Sequence, residues 1–237
     1  MRIGIFDSGI GGINVLSCLL KKYPNNEYIY FGDTKNLPYG DKTKHELMKL
    51  ANDAIDFLLT KKVDIILIAC GTISSNCYHE LKEKYDIPIY DIISPTIKYL
   101  SECNFNNIGV IGTTRTIESK IFDIRNKNVL MMSTPNLVPI IENNKVFENK
   151  EQIIKELEIF NSYDLLVLGC THYPIIKKLI EENMHIKTLD MGEVLTNSIL
   201  LSNSDKYGCE LYFSLISVNL MENINHILKN DYQIYLQ

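Results

Sequence analysis

Two cysteines, Cys70 and Cys170, close similar apolar runs 100 positions apart: Ile65-Ile66-Leu67-Ile68-Ala69 before the first, Leu165-Leu166-Val167-Leu168-Gly169 before the second. Polar residues follow each, Thr72 in one case and Thr171-His172 in the other. Such runs suit buried strands of a parallel sheet, which puts both cysteines at C-terminal strand ends, where open α/β sheets bind ligands. A pair of opposed thiols suits one chemistry in particular. A thiolate removes a proton from one face of a carbon, a thiol returns one to the other face, and the centre is inverted. A free thiol ionises near ~8.5, so help from a helix N-terminus is expected to make either cysteine usable near neutral pH.

Asp7, at the end of the first apolar run, and His172, two residues past Cys170, are candidates to assist the proton at each thiol. Each also has a plainer reading, Asp7 as cap of the next helix and His172 as closure of a strand-to-helix turn. The other cysteines, Cys18, Cys77, Cys103 and Cys209, lack this context and read as packing or surface thiols. No Cys-x-x-Cys pair points to zinc or to a redox site. The turn Asp7-Ser8-Gly9-Ile10-Gly11-Gly12 fits a dinucleotide fingerprint poorly, since the third glycine falls at Asn14 and Asp7 sets a negative charge beside a pyrophosphate. Asp33 would be the ribose-binding acid of that disfavoured reading. The turn better suits a small anion held by backbone N–H groups with Ser8 as a further donor. Pro38-Tyr39-Gly40, Thr72 with Ser74, and Thr113, Thr114 and Thr116 are polar turns that suit an α-carboxylate.

The elements that must position these residues alternate. Ile3–Phe6, Tyr28–Phe31, Ile65–Ala69, Ile89–Ile93, Ile108–Gly112, Val129–Met132 and Leu165–Gly169 read as strands. Leu47, Leu50, Ala51, Ala54, Ile55 and Leu58 lay an apolar stripe on a helix from Thr43 to Lys61. Ser94-Pro95 reads as a helix start with Ser94 as cap, and Pro174 opens another helix. Regular alternation implies βαβ units and an α/β fold with parallel sheets. A second repeat, Ile3-Gly4-Ile5-Phe6-Asp7 against Ile108-Gly109-Val110-Ile111-Gly112 at an offset of 105, suggests two related lobes, and with no Gly/Ser- or Pro-rich linker they should be closely apposed.

A chain of 237 residues with 46% hydrophobic and 22% charged residues is long enough for a large core and excludes a disordered or fibrous chain. Its net charge of −5 argues against a nucleic-acid binder. No run approaches the ~20 apolar residues of a membrane span, and the N-terminus lacks a signal peptide, so a cytoplasmic protein with free thiols is expected.

Taken together, Asp7-Ser8-Gly9 with Gly11-Gly12, Tyr30-Phe31-Gly32-Asp33, Pro38-Tyr39-Gly40, Ala69-Cys70-x-Thr72, Gly112-Thr113-x-x-Thr116, Pro135-x-Leu137-Val138-Pro139-x-x-Glu142, Gly169-Cys170-Thr171-His172-Tyr173-Pro174 and Asp190-x-Gly192 resemble the bacterial glutamate racemases of the aspartate/glutamate racemase superfamily. The resemblance implies two α/β lobes with the active site in the cleft between them, a first lobe of residues 1–94 plus 203–237 and a second of 95–202. It implies racemisation of L-glutamate to D-glutamate without a cofactor or metal, supplying D-glutamate for cell-wall peptidoglycan, in a protein that pairs as a homodimer. Cys70 and Cys170 are then the acid/base thiols, Asp7 and His172 assist them, and Glu142 is a further acid. Ser8, Pro38, Tyr39, Gly40, Gly71, Thr72, Thr116 and Thr171 are the expected substrate contacts.

One position departs from the family, where Asn usually follows the first cysteine and here Gly71 does. That reads as a lost donor and as empty volume beside the substrate. It leaves open a racemase of aspartate or another amino acid, and an amino-acid-binding homologue without turnover. A Cys-His hydrolase would leave the second cysteine unexplained. A helix between Glu118 and Val129 also looks trimmed.

Overall fold

The apolar runs form strands and the stretches between them helices, in alternation through most of the chain. The computed structural model describes residues 1–202, 206–229 and 231–237. The chain begins with β1 (Arg2–Asp7), α1 (Gly12–Lys22), β2 (Glu27–Gly32), α2 (Lys44–Thr60), β3 (Ile65–Ile68), α3 (Gly71–Lys84), β4 (Ile89–Asp91) and α4 (Ile93–Glu102). It continues with β5 (Asn107–Gly112), α5 (Thr114–Glu118), β6 (Asn128–Ser133), α6 (Leu137–Glu142), α7 (Lys150–Leu157), β7 (Leu165–Leu168), α8 (Lys177–Met184), β8 (Lys187–Asp190) and α9 (Met191–Ser198). β9 (Gly208–Phe213), α10 (Val218–Ile227) and β10 (Gln233–Leu236) complete it.

Two wholly parallel sheets result, ordered β10-β9-β2-β1-β3-β4 and β6-β5-β7-β8. The block β2-β1-β3-β4 has the same order as β6-β5-β7-β8, and the registers agree. Ile3 lies between Tyr28 and Ile65, and Ile108 lies between Val129 and Leu165. The repeat is therefore one of topology. In each sheet the chain leaves the central strand to one side and returns on the other, which opens a crevice at the strand C-termini. Cys70 follows β3 and Cys170 follows β7, the strands that flank the two crevices.

An apolar cluster runs between the sheets, mixing Ile3 and Ile5 with Val110 and Val167 through α1, α4 and α9. Separate clusters cover the outer face of each sheet. The two lobes thus share a core. β9 and β10 extend the first sheet beyond β2; the expected lobe boundary at Asn203 lies outside the described residues. Among the described residues no helix is long and apolar enough to cross a membrane.

Local chemistry explains where the elements begin. Thr43 and Glu46 form a reciprocal capping box at the start of α2, whose buried face is Leu47, Ala51, Ala54, Ile55 and Leu58. Ser94 is not the cap of α4. The strand expected over Ile89–Ile93 stops at Asp91, whose Oδ1 accepts from the N–H groups of Ile93 and Ser94, both at 2.7 Å, so Ser94 lies inside the helix. A carboxylate placed to accept two orphan N–H groups outcompetes a hydroxyl already within the first turn. Pro174 sits at the head of a short 3-10 turn, Tyr173–Ile176, that leads into α8. After Glu118 the chain runs through turns to β6, so the helix there is only the five residues of α5.

Candidate active site

The turns that leave β1, β3, β5 and β7 converge on one cavity of about 240 Å³ between the lobes. Ser8, Cys70, Gly71, Thr72, Gly169, Cys170, Thr171 and His172 line it together with Pro38, Tyr39 and Gly40. Each cysteine comes from a different sheet, and both face the same space.

Their surroundings differ. Cys70 is the N-cap residue of α3, and its Sγ donates to Ser8 Oγ at 3.6 Å. Burial first, then the charge of Asp7, pushes its thiol up to about 12, while the Ile73 N–H and Ser8 pull more weakly the other way. Against the expected help from the helix N-terminus, desolvation is the larger influence on Cys70 and favours its thiol form. Cys170 Sγ lies 3.6 Å from His172 Nδ1, and His172 Nε2 lies 2.6 Å from Glu142 Oε1. Burial alone would lower the pKa of this imidazole. The hydrogen bonds and charges of Cys170 and Glu142 outweigh it and hold His172 well above the ordinary histidine value. An imidazole whose partners favour its protonated form thus stands beside one thiol, and a carboxylate stands near the other.

Asp7 and Glu142 do not line the cavity. Glu142 reaches His172 from behind, and Asp7 is fully buried. Asp7 Oδ2 accepts from the N–H groups of Gly9 and Gly12, both at 3.1 Å, and Oδ1 accepts from Thr171 Oγ1 at 3.1 Å. This corrects the reading of the glycine turn as an anion cradle, because Gly9 and Gly12 direct their N–H groups at the chain's own carboxylate. The plainer reading of Asp7 as a helix cap holds alongside its influence on Cys70. Gly11 is required by packing: a Cβ there would fall 2.3 Å from Thr171 Oγ1 of the other lobe.

Of the expected substrate contacts, only Thr116 is absent from the lining. It is fully buried one layer back, and its hydroxyl meets that of Thr113 at 3.0 Å. Thr113 lines the cavity in its place and bridges the lobes through a 2.9 Å bond to Thr72. The expected empty volume at Gly71 is also absent, since a Cβ there would lie 2.8 Å from the Gly169 carbonyl oxygen. Tyr39 contributes its ring to the wall, but its hydroxyl donates to Asp33 Oδ2 at 2.7 Å. Sequence reasoning missed Asp33 as the anchor of this wall. It also left unassigned Leu37, Asp41, Pro135, Asn136, Val138 and Pro139, which with Thr114 complete the lining. The motif from Pro135 to Glu142 was the available signal, since its two ends reach the cavity and the histidine.

Residues 33–199 match the family described as Asp/Glu/Hydantoin racemase. The glutamate racemase of Hydrogenobaculum sp. (strain Y04AAS1) is 34% identical over 247 aligned positions, covering 99% of this chain and 95% of its own length. That of Thermoanaerobacter sp. (strain X514) is 41% identical over 202 positions, covering 79% and 75%. Among solved structures, the glutamate racemase of Francisella tularensis in complex with D-glutamate superposes with a TM-score of 0.86 at 30% identity, covering 100% of this chain and 96% of that one. The glutamate racemase of Aquifex pyrophilus superposes with a TM-score of 0.82 at 33% identity, covering 100% and 98%.

Proposed function

The chain belongs to the Asp/Glu/Hydantoin racemase family, and from that premise we propose that it interconverts L- and D-glutamate by exchanging the α-proton between Cys170 and Cys70, with no cofactor. The observation that carries the reading is the delivery of two thiols to one cavity from equivalent strand ends of two matching sheets. Glutamate is favoured as substrate by the relatives at 34% and 41% identity, both glutamate racemases.

In one direction a thiolate on Cys170, beside the His172 cation, takes the α-proton. The C–H bond breaks, an S–H bond forms, and the electron pair is left on a carbanion conjugated with the substrate carboxylate. Cys70, held as a thiol by burial and Asp7, donates its proton to the opposite face and completes the inversion. The return reaction exchanges the roles. His172 and Glu142 hold positive charge near one sulfur, and Asp7 sets the proton affinity of the other.

The lining residues include no Lys or Arg. Hydroxyls of Ser8, Thr72, Thr113 and Thr114, the Asn136 amide and the first N–H groups of α3 supply donors for the substrate's carboxylates, while the Thr171 hydroxyl is held by Asp7. The product fits the supply of D-glutamate for cell-wall peptidoglycan, which complementation of a D-glutamate auxotroph tests.

The activity itself is tested by incubating reduced protein with L-glutamate in the absence of any cofactor and following the enantiomers by chiral chromatography. The expected result is approach to equal amounts of both, with aspartate a much slower substrate. Absence of D-glutamate overturns the proposal.

A further inference from the structure

We infer that Gly71 is the spacer that sets how closely the two cysteine turns approach, and with it the span over which the proton is exchanged; this rests on the two-thiol reading above. Nothing in the backbone asks for glycine here. Gly71 is the first residue of α3, and no described glycine has a positive φ. What asks for glycine is proximity. A Cβ on Gly71 would lie 2.8 Å from the carbonyl oxygen of Gly169 and 3.6 Å from Met191 Cε. Gly71 directly follows Cys70 and Gly169 directly precedes Cys170, so the main chains of the two lobes touch one residue away from each thiol.

Neither side is free to yield. The Gly169 N–H donates to the Ile111 carbonyl at 2.8 Å, and a Cβ at Gly169 would lie 2.5 Å from that same oxygen, which shows how tightly this turn sits on β5. On the other side α3 is rooted by fully buried Ile73, Cys77 and Leu81. A methyl group at position 71 must therefore part the lobes by a few tenths of an ångström where the thiols oppose. Proton transfer to and from a fixed carbon falls steeply with such displacement, whereas donors spread around the cavity tolerate it better.

The test compares the parent chain with Gly71→Ala and Gly71→Asn. Steady-state rates are measured in both directions, with and without α-deuterated glutamate, and thermal melting with and without glutamate. A spacer predicts that both variants fold and are stabilised by glutamate. It also predicts a kcat about tenfold or more lower, a KM within about threefold of the parent, and a larger deuterium isotope effect on kcat. An unchanged kcat in Gly71→Ala overturns the inference. So does a Gly71→Asn rate above the parent's, which would show that a missing donor is what matters, and so does failure of Gly71→Ala to fold or to bind. A parent chain inactive on both enantiomers overturns the racemase reading itself, and the spacer with it.

Discussion

At His172 a buried imidazole lies between a thiol and a carboxylate, and its protonation depends on both. Burial works against the cation; the hydrogen bonds and charges of Cys170 and Glu142 sustain it. Replacing Glu142 with Gln removes one charge and weakens one of these bonds, so the His172 pKa falls and the cation is lost at a lower pH than in the parent. If the cation assists Cys170, the alkaline limb of the kcat–pH profile moves to lower pH in Glu142→Gln. On that limb kcat drops about tenfold, less than the ~10²–10⁴ expected for loss of a proton-transfer group outright. An unmoved alkaline limb would show that Glu142 does not act through the histidine. Cys70, Cys170 and His172 were legible from their places in the repeat. Glu142 was not legible by spacing, because it lies 30 residues before His172 and only the fold brings them together. The high proton affinity of Cys70 was equally hidden, since it follows from burial that no local pattern reveals.

Among the elements, the turn after β2 depends most on a distant part of the chain. Asp33 accepts from Tyr39 Oη at 2.7 Å, from Asn36 Nδ2 at 2.9 Å and from Ser214 Oγ at 2.7 Å, and Leu215 N donates to Thr34 Oγ1 at 3.0 Å. The cavity wall from Leu37 to Gly40 is therefore tied to the segment that follows β9. Asp33→Ala leaves the buried Tyr39 hydroxyl unpaired and is expected to destabilise the protein by about 1–3 kcal/mol in denaturant titrations. Asp33→Ala with Tyr39→Phe should cost less than the sum of the single changes, because the two side chains share one bond; strict additivity would show that Asp33 does not anchor the wall. The helix from Thr43 to Lys61 was readable because stripe and capping box agree. The start of α4 was misread because the apolar run continues through Ile92 and Ile93 past Asp91, where the strand ends, and so hides the boundary. β9 and β10 left little signal: β10 is a four-residue edge strand with a largely exposed face.

For the molecule as a whole, the repeated sheet topology explains why two thiols can meet. Two sheets with the same strand order each present a crevice, a shared core through α1, α4 and α9 presses the lobes together, and the crevices become one cavity. The apposition was legible from the missing linker. How close it is was not legible: the close approaches at Gly11 and Gly71 are properties of surfaces that meet only after folding. The central claim is that each lobe contributes one acid/base thiol, and the most direct test follows the hydrogen itself. L-Glutamate is converted in D2O by the reduced parent protein, and the first few per cent of reaction are analysed by mass spectrometry of the separated enantiomers. Two opposed thiols predict D-glutamate carrying deuterium at Cα while the remaining L-glutamate stays protiated. D-Glutamate that retains the substrate's own hydrogen, or deuterium entering both enantiomers equally fast, would contradict the account.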